Sequence, residues 1–157
     1  MKTASVKEIK TALADVPTSE LITLCLELSK FKKENKELLT YLLFESSSEA
    51  SFIADIKTET IEQFSLINTS SYFYIKKSVR KILRRIKTYI RYSKNKETEL
   101  ELLLFFCQQM KSFKPSIKGS DALHNIYKRE VININKKLLK LHEDLQFDYL
   151  EDLKKLG

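Results

Sequence analysis

Apolar residues recur along this chain at spacings of three and four, broken by short polar clusters, which is the period of amphipathic helices. Ser5-Val6-Lys7-Glu8 has the spacing of a capping box, so a first short helix is predicted to about Asp15, with Val6, Ile9 and Leu13 on one face. Pro17 fits the first turn of a second helix, where its missing amide hydrogen costs little. Leu21, Leu24, Cys25 and Leu28 form the apolar face of that helix. A polar break at 30–35 precedes a third helix with Leu38, Leu39, Leu42 and Leu43 inward. Ser46, Ser47 and Ser48 read as a loop. Phe52, Ile53, Ile56, Phe64 and Ile67 predict a fourth helix, irregular around Thr58 and Thr60.

The sharpest amphipathic element follows a cap-rich run at 68–71. Advancing about 100° per residue, Ile75, Val79, Ile82, Leu83, Ile86, Tyr89 and Ile90 fall within an arc of roughly 120°. Lys76, Lys77, Arg80, Lys81, Arg84, Arg85, Lys87 and Arg91 occupy the remainder of the wheel. One face is therefore core and the other is cationic, with few partners for the i, i+4 ion pairs that usually balance a solvated helix. The next helix, about 97–113, opens on Glu97, Glu99 and Glu101 at its positive end. Its run at 102–107 is apolar on nearly every side, which predicts the central buried helix of a bundle. Pro115 and Gly119 mark 114–120 as the place for a flexible connection. Ser120 or Asp121 then caps a long helix. In it Tyr127, Val131, Ile134, Leu138, Leu141 and Leu145 alternate spacings of four and three, a heptad seam that serves either internal packing or a homodimer. Phe147, Leu150, Leu153 and Leu156 predict a shorter helix after a bend.

Composition sharpens this picture. With 157 residues, 43% hydrophobic content and only two Gly and two Pro, the chain fits an all-α compact bundle of six or seven helices in a single domain, 1–157. The two cysteines, Cys25 and Cys107, sit among apolar neighbours and read as buried thiols of a reducing, cytoplasmic compartment. The opening MKTASVKEIK lacks the apolar run of a signal peptide, and the run at 102–107 is too short to span a bilayer.

Charge changes the picture most. The stretch 72–96 holds ten of the 28 Lys and Arg and none of the 21 Asp and Glu. The whole net charge of +7 thus resides there, and the remainder of the chain sums to −3.

Candidate chemistry is otherwise sparse. Two histidines, His124 and His142, stand too far apart to converge with carboxylates into a metal site. No Gly-x-Ser-x-Gly elbow exists, and two glycines build no phosphate-cradling loop. The acids at 97–101 and at Glu151 and Asp152 read as helix-end and surface charges beside no cleft. No catalytic residue, metal or cofactor is expected, and the chain is not expected to be an enzyme. Two readings of the cationic face compete. In one it binds a polyanion, either nucleic acid or an acidic protein surface, through Lys76, Lys77, Arg80, Lys81, Arg84, Arg85, Lys87 and Arg91, with Tyr72, Tyr74, Tyr89 and Tyr92 available for stacking. In the other it is merely solvated, or neutralised by acids of the same chain such as Glu97, Glu99, Glu101, Glu143, Asp144, Asp148, Glu151 and Asp152.

Glu20-Leu21-Ile22, Leu28, Lys36-Glu37 and Tyr41-Leu42 sit in an order that resembles the start of a family of small uncharacterised bacterial all-helical proteins. The resemblance covers about the first 45 residues and implies an all-helical fold. It implies no activity and no site. The expected function is a non-enzymatic binding or scaffold module working through residues 76–91. The alternative is an assembly protein that self-associates through 127–145.

Overall fold

The helical period is realised throughout: a computed structural model describes residues 1–156, and these hold eight α-helices and no strand. The class is all-α, with one helix more than the six or seven expected. Two compact units divide the chain, Met1–Phe44 and Glu45–Gly157. The division falls at 44/45.

The first unit holds α1 (Val6–Ala14), α2 (Thr18–Phe31) and α3 (Lys33–Thr40), after which a π-helical turn, Tyr41–Glu45, leads across the division. The capping box at the start of α1 is present as expected: the Ser5 hydroxyl accepts from the Glu8 amide at 3.3 Å, and the Glu8 carboxylate accepts from the Ser5 amide at 2.7 Å. Pro17 stands one position earlier than expected, as the N-cap of α2. Lys32 alone, in an extended conformation (φ −142°, ψ 146°), separates α2 from α3. The Asn35 side-chain amide crosses this turn and donates to the Leu28 carbonyl at 2.8 Å. The apolar faces expected to lie inward are not enclosed. Val6, Ile9, Leu13, Leu24, Leu28, Leu42 and Leu43 are exposed, and Cys25, expected to be buried, is exposed as well. Tyr41 is the only buried residue of the unit. Helices of 9, 14 and 8 residues present too little facing surface to close over a core.

The second unit holds the core. Here α4 (Glu49–Ser65), α5 (Tyr72–Ser93) and α7 (Asp121–Leu138) all pack on α6 (Lys96–Ser112), and α8 (Glu143–Lys154) packs on α7. Helix α6 is central because it is apolar on all sides: Leu100, Leu102, Leu103, Leu104, Phe106, Cys107 and Met110 are all buried. Asn95 caps it, accepting from the Glu97 and Thr98 amides at 2.8 and 3.4 Å. Helix α4 is continuous, not irregular at 58–60. The hydroxyls of Thr58 and Thr60 donate to the carbonyls of Ala54 and Ile56 at 3.0 and 2.7 Å, so the polar side chains are satisfied inside the helix.

The segment 114–120 is anchored: Ile117 is buried in a single 3-10 turn, Ile117–Gly119, and the Tyr72 hydroxyl donates to the Ser116 carbonyl at 2.9 Å. A Cβ at Gly119 would lie 2.1 Å from the Tyr72 hydroxyl oxygen, so a larger residue there requires the Tyr72 ring to shift.

The heptad seam does not run as one helix. Helix α7 ends at Leu138, Leu141 lies in the turn, and Leu145 belongs to α8. The buried row of α7 is Leu123, Ile126, Glu130, Ile134 and Leu138, so Ile134 and Leu138 serve the core of this chain. The row is rotated from the seam by one residue in its first half, with Glu130 buried where Val131 was expected.

Candidate polyanion-binding face

Helix α5 forms where the sequence places it, and its apolar arc is its core face: Ile75, Val79, Ile82, Leu83, Ile86 and Ile90 are buried. Lys94, in the left-handed conformation (φ 57°), closes it. The eight cations occupy the other side, and acids from neighbouring helices meet them only at its edges.

On the α4 edge, Arg85 pairs with Glu59, Nε to Oε1 at 3.6 Å, and its guanidinium lies 4.2 Å from the centre of the Tyr89 ring. The Tyr89 hydroxyl donates to the same Glu59 carboxylate. Burial first, and then the hydrogen bond to Glu59 and its charge, push the Tyr89 hydroxyl well above the usual tyrosine range. On the α7 edge, Lys87 Nζ donates to Glu130 Oε1 at 2.8 Å. Glu130 is only 1% exposed, and it also lies 3.5 Å from Arg129 Nε and accepts from the Asn133 side-chain amide at 3.5 Å. A buried carboxylate needs such partners to offset the loss of water.

Between these edges lie Lys77, Arg80, Lys81, Arg84 and Arg91, all exposed. On the helical wheel the five span roughly 100° and are bracketed by Arg85 and Lys87. Among the described residues none of the five forms an ion pair, so the acids of the chain neutralise the margins of the face and leave its middle charged. Lys76 lies beyond the α7 edge, its ammonium 5.9 Å from the centre of the Phe73 ring.

Arg80, Arg84, Lys87 and Arg91 share one side of an open groove of about 650 Å³, and Arg129 of α7 stands across it. Leu83 and Thr88 form its buried floor. The Thr88 hydroxyl donates to the Arg84 backbone carbonyl at 3.1 Å and accepts from Arg91 Nη2 at 3.2 Å, so it holds the Arg91 guanidinium. Exposed guanidiniums present bidentate donors to phosphate or carboxylate oxygens.

The structure thus brings Arg80, Arg84, Lys87 and Arg91 along one groove, with Lys87 paired to Glu130, and sets Lys76 and the Glu59-paired Arg85 apart from it. Sequence reasoning missed Arg129, Thr88 and the two neutralising acids, Glu59 and Glu130. Of the acids it nominated, Glu101 pairs with Lys57 and Glu99 with Lys137 instead. Two expected stacking groups are also corrected. Tyr92 is buried, and the Tyr89 hydroxyl is held by Glu59, whereas Tyr74 is exposed, edge-on to Phe73.

A second feature departs from expectation. Glu101 and Asp152, read as lying beside no cleft, line one groove of about 350 Å³ with Lys57, Asp148 and Tyr149. Burial raises the Tyr149 hydroxyl above its ordinary range, with Glu101 adding to the effect. Lys57 donates to Glu101.

Among the described residues no group of three or more His, Cys, Asp or Glu is placed to hold a metal, and no helix is long and apolar enough to cross a membrane. No protein-family model, curated protein or solved structure matches the chain.

Proposed function

We propose that this chain is a non-enzymatic binding module whose α5 face engages a polyanion. One observation carries the reading: Lys77, Arg80, Lys81, Arg84 and Arg91 remain without ion pairs while the cations on either side of them are neutralised. A merely solvated face has no need of that distribution, and a phosphate- or carboxylate-rich partner does. The protein is expected to be retained on immobilised heparin at low salt and to elute as salt rises. Changing Arg80, Arg84 and Arg91 together to Glu should abolish retention with the helical circular dichroism and thermal transition unchanged. Flow-through of the wild type at low salt would sink the proposal.

Self-association through Tyr127, Val131, Ile134, Leu138, Leu141 and Leu145 is the weaker reading, because Ile134 and Leu138 are buried and the helix ends between Leu138 and Leu141.

A further inference from the structure

Resting on that reading, we infer that the polyanion is the phosphodiester backbone of a duplex nucleic acid, bound without regard to base sequence. The choice follows from what the face lacks and from how its charges are laid out. A protein partner is held chiefly by apolar and aromatic anchors in a desolvated centre. The exposed large hydrophobic side chains of α5 are confined to its first turn, Phe73 and Tyr74; none lies between Ile75 and Arg91, and the groove floor, Leu83 and Thr88, is buried beneath the cations. A single strand is held by stacking its bases on exposed aromatic rings. The two exposed rings of α5, Phe73 and Tyr74, stand edge-on to each other at its N-terminal end, whereas along the row from Lys77 to Arg91 Tyr89 lies against Arg85 with its hydroxyl on Glu59, and Tyr92, just beyond it, is buried. Reading base edges needs an element that enters a groove of the duplex. Helix α5 packs on α4 and α6 instead, and is tied to α4 through Arg85–Glu59 and to α7 through Lys87–Glu130. It presents a flank and does not protrude.

What the face does offer is a file of cations without ion pairs along one helix. From Lys77 to Arg91 it extends about 21 Å along the helix axis. Duplex DNA presents one charge per about 1.7 Å of its own axis, so several phosphates lie within reach of such a file. Arginine predominates in it, and Thr88 holds the Arg91 guanidinium. Arg129 supplies a cation from a second helix, so the surface is broader than one row of side chains.

The number of phosphates neutralised is readable from salt dependence. Five contacts predict that log K falls against log salt with a slope of about −4.5 for duplex DNA. The test is fluorescence anisotropy of the full chain with a labelled 20-base-pair DNA duplex, an unrelated duplex of equal length, an RNA duplex and a single strand, each across a salt series. Equal affinity for the two DNA duplexes, a slope near −4.5 and weaker single-strand binding are expected. The triple variant Arg80→Gln, Arg84→Gln, Arg91→Gln should flatten the slope by about 2.7 and weaken binding at 0.1 M salt by about a hundredfold or more. The exposed pair Lys114→Gln, Lys118→Gln serves as control and should leave both unchanged. Tight binding to either the DNA or the RNA duplex supports the inference and names the form preferred.

Four results overturn it. Heparin binding with no duplex binding, or a single strand bound as tightly as the duplex, removes the duplex and leaves the polyanion reading standing. Displacement of the duplex by poly-glutamate at equal charge concentration assigns the face to an acidic protein. Failure to bind both heparin and duplex removes the inference and the proposed function together.

Discussion

Cys25 and Cys107 show how far one side chain's chemistry depends on its place in the fold. Both stand among leucines or phenylalanines in sequence, yet Cys25 is exposed on α2 and Cys107 is fully buried in α6. Burial pushes the Cys107 thiol from its ordinary 9.0 to about 12, with the nearby Glu130 charge adding to the effect and Lys87 opposing it. The thiolate is the reactive form, so Cys107 should be inert at pH 8. Ellman's reagent is expected to titrate one thiol in the native chain and two in guanidinium. Two fast thiols in the native chain would contradict the packing of α6. The same shift has a stability consequence. Above pH 9 the unfolded chain releases this proton and the folded chain keeps it, so the folded state binds more protons and stability falls as pH rises from about 9 toward 12. Urea midpoints of the wild type should decline between pH 9 and 10, and those of Cys107→Ala should decline less.

At the scale of elements, helices differ in what their residues contribute. Phe106 is fully buried at the centre of the second unit, with its ring centroid 5.9 Å from that of Phe64. Phe106→Ala should cost about 3–5 kcal/mol in urea denaturation. Leu28, 61% exposed on α2, is equally apolar, yet Leu28→Ala should change stability by no more than about 0.5 kcal/mol. A cost for Leu28→Ala near that of Phe106→Ala would show that α2 has a core of its own. This contrast marks where the sequence was legible. Helices α5 and α6 were readable because their patterns are extreme, cationic on one side and apolar on all sides. The phase of α7 was not readable, because counting apolar residues favours Val131, whereas the buried row runs through Glu130. A lone acid in the row Leu123, Ile126, Ile134, Leu138 was the available signal. What makes that acid tolerable is Lys87, which lies 43 residues away and is invisible to any local pattern. The candidate site divides in the same way. Its eight cations follow from the period of one helix, but which of them stay charged depends on Glu59 and Glu130, which tertiary packing brings in.

At the scale of the whole molecule, stability and binding charge both concentrate in Glu45–Gly157. Every buried residue except Tyr41 belongs to that unit, and so does each cation of the proposed face. Met1–Phe44 has helices of 9, 14 and 8 residues, at or below the roughly 12–15 at which an isolated helix becomes marginal in water. Capping at Ser5 and the Asn35 contact to Leu28 contribute about 1 kcal/mol each, too little to offset the ordering of a whole unit. A peptide of residues 1–44 should therefore show weak helical circular dichroism and no cooperative thermal transition. The fragment 45–157 should unfold cooperatively and keep its retention on heparin, since burial and charge are both contained within it. A cooperative transition in the 1–44 peptide would mean that its exposed leucines find a partner in a second copy, and its melting temperature would then rise with concentration. Loss of cooperativity in 45–157 would be the more serious result, because a core centred on α6 and packed by α4, α5 and α7 is expected to hold without the first unit.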